Sequence, residues 1–88
     1  MSADTNGAAK RAAAARVSHA LKQAARKTED GFASDLHRAA VRVDGMADGE
    51  QAELPENAPA IIDAAEALVA ETSETNEKLL RKQIRKLL

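Results

Sequence analysis

The chain has 88 residues, a formal net charge of −1 and no cysteine, which limits it to one domain and excludes disulfides. Of its residues 44% are hydrophobic, but 21 residues are alanine, and a core of methyl groups buries little apolar surface. Small domains of this kind are marginally stable, and oligomerisation is a usual remedy.

The sequence has no long apolar run that could span a membrane and no signal-peptide core. Together with the lack of cysteine, this predicts a cytoplasmic protein that does not bind membranes. The single aromatic residue, Phe32, also excludes the stacking platforms that many single-strand nucleic-acid binders use.

Charge is divided into three blocks along the chain. Residues 1–43 carry eight Lys or Arg against four acids, residues 44–77 carry ten acids and no base, and residues 78–88 carry five bases and no acid. This separation predicts surfaces of opposite sign on the folded protein.

The first half of the chain has the pattern of an amphipathic helix. Residues 1–7 are polar and predict a flexible terminus, whereas from Ala8 alanine-rich sequence favours helix. One apolar stripe keeps its phase from Val17 through to Val43, which favours a single helix over about residues 8–43. The alternative is a break near Gly31, where Thr28 could cap a new helix.

A loop and a second long helix follow. Residues 44–57 contain two Asp-Gly pairs, Pro55 and five acids, which predicts an acidic loop. The second helix is predicted over residues 58–88, with a cap at Asn57 or Ala58 and Pro59 in its first turn. The expected fold is therefore all-α: an antiparallel helical hairpin in a single domain, residues 8–88.

The second helix predicts self-association. The leucines of its C-terminal part face mainly alanine across such a hairpin, so we expect two hairpins to pair as a homodimeric, coiled-coil-like four-helix bundle. Thr72 and Asn76 interrupt the apolar stripe, and they either line a wet gap or, through Asn76, fix the register of the dimer. The predicted oligomer interface consists of Leu68, Thr72, Asn76, Leu79, Leu80, Ile84 and Leu87.

No pattern indicates catalysis or metal binding. His19 and His37 are the only histidines, and on one helix they would lie about 27 Å apart at 1.5 Å per residue. Side chains that are neighbours in a helix point in different directions, and two helices imply no concave pocket. We expect no enzyme activity, no metal and no cofactor.

The basic residues are the remaining candidates for function. Six Lys or Arg lie between residues 10 and 27 with no acid among them, which is typical either of a solvated helix face or of a phosphate-binding surface. We expect a non-enzymatic interaction protein, such as a small regulator, inhibitor or assembly factor, that presents a charged helical surface to a protein partner. The alternative is a nucleic-acid-associated protein. The candidate partner- or phosphate-binding residues are Arg11, Arg16, Lys22, Arg26, Lys27, Lys82, Arg85 and Lys86.

Overall fold

The computed structural model describes residues 2–48 and 52–88, with side chains described from Gly7 onward. These residues form four α-helices: α1 (Ser2–Arg26), α2 (Asp30–Ala47), α3 (Ala58–Ala70) and α4 (Glu74–Ile84). A 3-10 turn, Arg85–Leu87, continues α4. No strand occurs in the described residues, and the prediction of an all-α fold is confirmed.

The first predicted helix is two helices. It begins at Ser2 instead of residue 8, and it ends at Arg26. The backbone N–H of Lys27 donates to the carbonyl of Ala24 (3.0 Å), and the hydroxyl of Thr28 donates to the carbonyl of Ala25 (3.2 Å). These bonds satisfy carbonyls that a helix end leaves free. The prediction of one helix over residues 8–43 is wrong, and the alternative break occurs, but before Gly31.

The apolar stripe keeps its phase across this break. The spacing of apolar residues shows which side chains are buried, and it does not show whether the helix axis is continuous. α1 and α2 fold back on each other, and each turns its own stripe to the same core. Thr28 lies in the turn and is itself buried at 9% exposure. A phase that does not reset is therefore compatible with a helical hairpin as well as with one helix.

The second predicted helix is also divided, at residues 71–73. Ser73 caps α4 by accepting a hydrogen bond from the backbone N–H of Asn76 (3.2 Å). The amide of Asn76 donates in turn to the carbonyls of Ala67 (3.2 Å) and Glu71 (2.8 Å) at the end of α3. The last turn of α3 and the first turn of α4 therefore have hydrogen-bond partners within the chain. Because residues 71–73 between them are not helical, the prediction of a continuous helix over residues 58–88 is wrong.

The connection between α2 and α3 is shorter than predicted. α2 extends to Ala47, so Asp44, predicted in the acidic loop, is helical; residues 49–51 lie outside the described part of the chain. α3 begins as expected, with Asn57 as N-cap and Pro59 in the first turn. The Asn57 amide also donates to the backbone carbonyl of Gln83 (2.8 Å), which fixes the start of α3 to the end of α4.

The four helices enclose one core. α1 packs against α2 and α3, and α4 packs against α3 and α2, so α1 and α4 are not neighbouring helices within the described residues. The molecule measures 44 × 19 × 19 Å. The largest fully buried side chains are Leu21, Leu36, Ile61, Leu68, Leu80 and Ile84. One chain therefore covers its large core residues without a second subunit.

Candidate interaction surfaces

The basic residues predicted from the sequence lie on two separate sides of the molecule. Those of the first block, Arg11 to Lys27, are exposed on α1 and, for Lys27, on the turn that follows it. Those of the second block, Lys82 to Lys86, are exposed on α4 and the following turn. These two groups of basic residues therefore lie on helices that are not packed side by side.

The C-terminal basic residues join α2 instead. A groove of about 440 Å³ runs between the outer side of α2 and the chain's last two residues. Lys86, Leu87 and Met46 line the adjoining recess, together with Glu56. We call this surface the α2–tail face and define it by His37, Arg38, Val41, Arg42, Lys86, Leu87 and Leu88.

The α2–tail face combines exposed apolar and basic groups. Val41 is 68% exposed and Leu88 is 51% exposed, which makes them two of the three exposed large hydrophobic residues among those described. Arg38 and Arg42 flank Val41, and no acidic side chain lines this groove. The ion pair between Arg38 and Asp35 (3.5 Å) joins well-hydrated groups and restrains Arg38 only weakly.

A cation–π contact helps to hold α4 beside α2. The guanidinium carbon of Arg81 lies 4.6 Å from the centre of the Phe32 ring, within the distance at which such pairs attract. Phe32 is buried in the first turns of α2. Arg81 therefore helps to position α4 beside α2. Arg38, Arg42 and Lys86 supply the positive charge of the α2–tail face.

Arg38, Val41 and Arg42 were not among the residues predicted from the sequence, although a signal for them exists. The buried stripe of α2 runs through Phe32, Leu36 and Val43, and Val41 falls off it. A large apolar residue between two arginines on the polar side of a helix can mark an interaction site. α2 lies beside residues 86–88 because the chain turns back at residues 71–73. That break was not predicted from the sequence.

The residues predicted to form an oligomer interface have other roles. Leu68, Leu80 and Ile84 are fully buried within the chain. Thr72 donates its hydroxyl to the carbonyl of Leu68 (3.2 Å), and Asn76 joins α3 to α4 as described. Leu87 is partly buried against the core, and only Thr72 and Leu79, the latter at 50% exposure, remain exposed. The reason for placing a subunit interface along this stripe therefore no longer applies.

A second groove lies between α1 and α3. Its volume is about 430 Å³, with Ala20, Ile62 and Val69 on its floor and Arg16 and Glu66 on opposite rims. It continues into a recess lined by Ala13, Ala58, Asp63 and again Arg16 and Glu66. We call the two together the α1–α3 groove. The two helices run in the same direction along it, because Ala13 and Ala58 mark one end and Gln23 and Ala70 the other.

The described residues contain no cluster of three or more His, Cys, Asp or Glu side chains that could hold a metal ion. His19 lies on the α1–α3 groove and His37 on the α2–tail face. No helix in the described part of the chain combines the length and hydrophobicity needed to cross a bilayer.

Comparisons with known proteins give no relative for this chain: no family model, no curated protein and no solved structure matches it. Its function therefore has to be argued from its surfaces.

Proposed function

We propose that this protein is a non-enzymatic interaction module, a small regulator, inhibitor or assembly factor, that binds a protein partner through the α2–tail face. The observation that supports this most directly is the exposure of Val41 (68%) and Leu88 (51%) in a groove flanked by Arg38 and Arg42. Exposed apolar groups with a charged rim are typical of protein-binding sites.

The chemistry of the face specifies the partner. The partner segment should carry apolar side chains that enter the groove and acidic side chains on both flanks. An amphipathic acidic helix meets both requirements, and helix-in-groove recognition uses anchors spaced three or four residues apart. A second copy of this chain does not fit here, because a symmetric pairing would bring Arg38, Arg42 and Lys86 against the same residues.

The two kinds of contact contribute differently to binding. Full burial of a valine side chain stabilises a complex by about 1.5–3 kcal/mol, whereas an exposed ion pair contributes about 0.2–1 kcal/mol. Val41 and Leu88 should therefore determine most of the lifetime of the complex. Arg38, Arg42 and Lys86 should mainly raise the association rate and exclude basic partners.

Affinity capture with matched variants tests this proposal. Wild-type protein, the pair Arg38→Glu with Arg42→Glu, and a control pair Arg11→Glu with Arg26→Glu are immobilised and exposed to nuclease-treated extract of the native host. Both pairs reverse two exposed arginines. We expect wild type and the α1 control to retain a common partner with an acid-rich helical segment, and the α2 pair to lose it by tenfold or more.

A third variant, Val41→Asn, separates apolar contact from charge, because it changes no charge. It should also reduce capture about tenfold or more, since an asparagine side chain cannot enter an apolar pocket without losing its hydrogen bonds to water. Equal capture by wild type and both α2 variants would contradict the proposal. So would capture that occurs only from a parallel extract left without nuclease treatment, because binding would then depend on nucleic acid.

A second candidate function, nucleic-acid binding, rests on α1 alone. Arg11, Arg16, Lys22, Arg26 and Lys27 are all exposed, and among them only Lys22 has an ion pair in the described residues, with Asp44 at 3.8 Å. Phosphate contacts by such residues weaken steeply as salt rises from about 50 to 200 mM. A gel shift that does so, and that Arg11→Glu with Arg26→Glu abolishes, would favour this candidate.

A further inference from the structure

We propose that the α1–α3 groove binds a second copy of this chain, with the two-fold axis parallel to the helices. This inference is independent of the proposed function, since it concerns the other side of the molecule and a different occupant. It also places the interface of the predicted homodimer in the α1–α3 groove and not along the stripe of residues 68–87.

Charge distinguishes the α1–α3 groove from the α2–tail face. The α2–tail groove has no acidic side chain in its lining, whereas the α1–α3 groove has Arg16 on its α1 rim and Asp63 and Glu66 on its α3 rim. Arg16, Asp63 and Glu66 are exposed, and none takes part in an ion pair within the described residues. A surface with both signs on opposite rims can be complementary to itself, which a surface of one sign cannot.

Symmetry decides how two copies would meet. A two-fold interface is isologous, so each contact occurs twice with the roles of the copies exchanged. Rotation about an axis parallel to the helices leaves each residue at the same height along that axis and moves it to the opposite side. It therefore places α1 of each copy opposite α3 of the other. Arg16 and Glu66 line the same stretch of the groove, so Arg16 of each copy lies opposite Glu66 of the other. An axis perpendicular to the helices would set α1 against α1 and α3 against α3, so that rims of the same sign would face each other.

The floor of the groove supplies the apolar contact. Ile62 and Val69 are partly buried hydrophobic residues packed against the core, and their remaining exposed surface opens into this groove. Ala13 and Ala20 on the α1 side are small, which allows two helix pairs to approach closely. The charged rims set register and orientation, as complementary charges do at other interfaces.

Sedimentation of charge-reversed variants tests this inference. The variants are Arg16→Glu and Glu66→Arg, each measured alone and in an equimolar mixture over a micromolar concentration series. We expect wild type to dimerise and each variant alone to associate at least tenfold more weakly, since both contacts then join like charges. The mixture should form a heterodimer, because every rim contact again joins opposite charges.

Control variants separate this interface from a general effect of charge. Arg26→Glu, which lies on α1 outside the groove, should dimerise like wild type, and so should the double variant that carries both reversals on one chain. Circular dichroism should show unchanged helicity, because the exchanged side chains are exposed. A wild type that stays monomeric, or a mixture that associates no better than its components, would overturn the inference.

Discussion

Asn76 joins the ends of two helices. Its side-chain amide donates to the carbonyls of Ala67 and Glu71, and its backbone N–H donates to the Ser73 hydroxyl. The sequence left two roles open for this residue, a wet gap or the register of a dimer, and in either case its replacement by an apolar residue should not weaken the folded chain. Its contacts within the chain predict the opposite sign.

We expect Asn76→Ala to lower the free energy of unfolding by about 1–2 kcal/mol, because the helix-end carbonyls lose their partner. Urea denaturation measures the change. Thr75→Ala at the neighbouring exposed position is the control and should stay within about 0.5 kcal/mol of wild type. An Asn76→Ala variant as stable as this control would show that the amide contributes nothing.

Leu79 and Leu80 form a matched pair of adjacent leucines in one helix. Leu80 is fully buried, whereas Leu79 is 50% exposed. Leu80→Ala should cost about 2–5 kcal/mol in the free energy of unfolding, the usual range for a buried leucine, and Leu79→Ala should cost less than about 1 kcal/mol. Thermal unfolding at low protein concentration measures both. Equal losses would mean that α4 does not turn Leu80 to the core of its own chain.

At the scale of elements, Gly31 lies inside a helix and not at the break between two helices. The sequence suggested it as the point of a break, yet it is the second residue of α2. The break depends on Thr28 and on the tightened end of α1. A glycine inside a helix then only weakens it.

Gly31→Ala should therefore raise the free energy of unfolding, by less than the ~1 kcal/mol that separates the two residues in a helix interior, because Gly31 lies in the first turn. A Cβ built at this position meets nothing within 4 Å, so no clash offsets the gain. Gly45→Ala, at the other end of α2 and equally open, should act in the same direction. Destabilisation by Gly31→Ala would contradict the placement of Gly31 inside α2.

The fold-back of α4 onto α3 can be measured as a distance. Asn57 and Gln83 are in hydrogen-bond contact at 2.8 Å, whereas a continuous helix would separate them by about 39 Å at 1.5 Å per residue. The chain has no cysteine, so spin labels can be attached to cysteines placed at Glu56 and Lys82. We expect a separation below about 25 Å, and a distance near 40 Å would restore the long helix.

Local signals predicted much of the secondary structure but not its arrangement. Helix content, the Asn57 cap, Pro59 and the buried stripe through Leu21, Leu36 and Val43 follow from propensity and spacing. The break after Arg26 is closed by local hydrogen bonds of Lys27 and Thr28, but the apolar stripe continues in phase across it and favoured one helix. The break at residues 71–73 does not follow from propensity and spacing, because the Asn76 amide reaches the carbonyl of Ala67 only when α4 has turned away from the axis of α3. Residues placed together by that arrangement, such as Val41 and Leu88, were missed for the same reason.

At the scale of the whole molecule, two sides differ in charge and so in the partner that suits them. The groove of the α2–tail face presents apolar groups beside two arginines with no acidic side chain in its lining, and the α1–α3 groove presents apolar groups between a base and acids. With the core already closed within one chain, neither surface is needed for folding. Both are therefore available for binding, the first for an acidic protein and the second for another copy.

Photo-crosslinking from the α2–tail face tests the central claim most directly. A photoreactive residue is placed at Val41 and, as a control, at Ala15, which is exposed on α1; both proteins are irradiated in host extract. We predict one main protein adduct, formed at Val41 and not at Ala15, mapped to an acid-rich segment of the partner and lost when Arg42→Glu is added. Equal adducts from both positions, or adducts to nucleic acid alone, would contradict the claim.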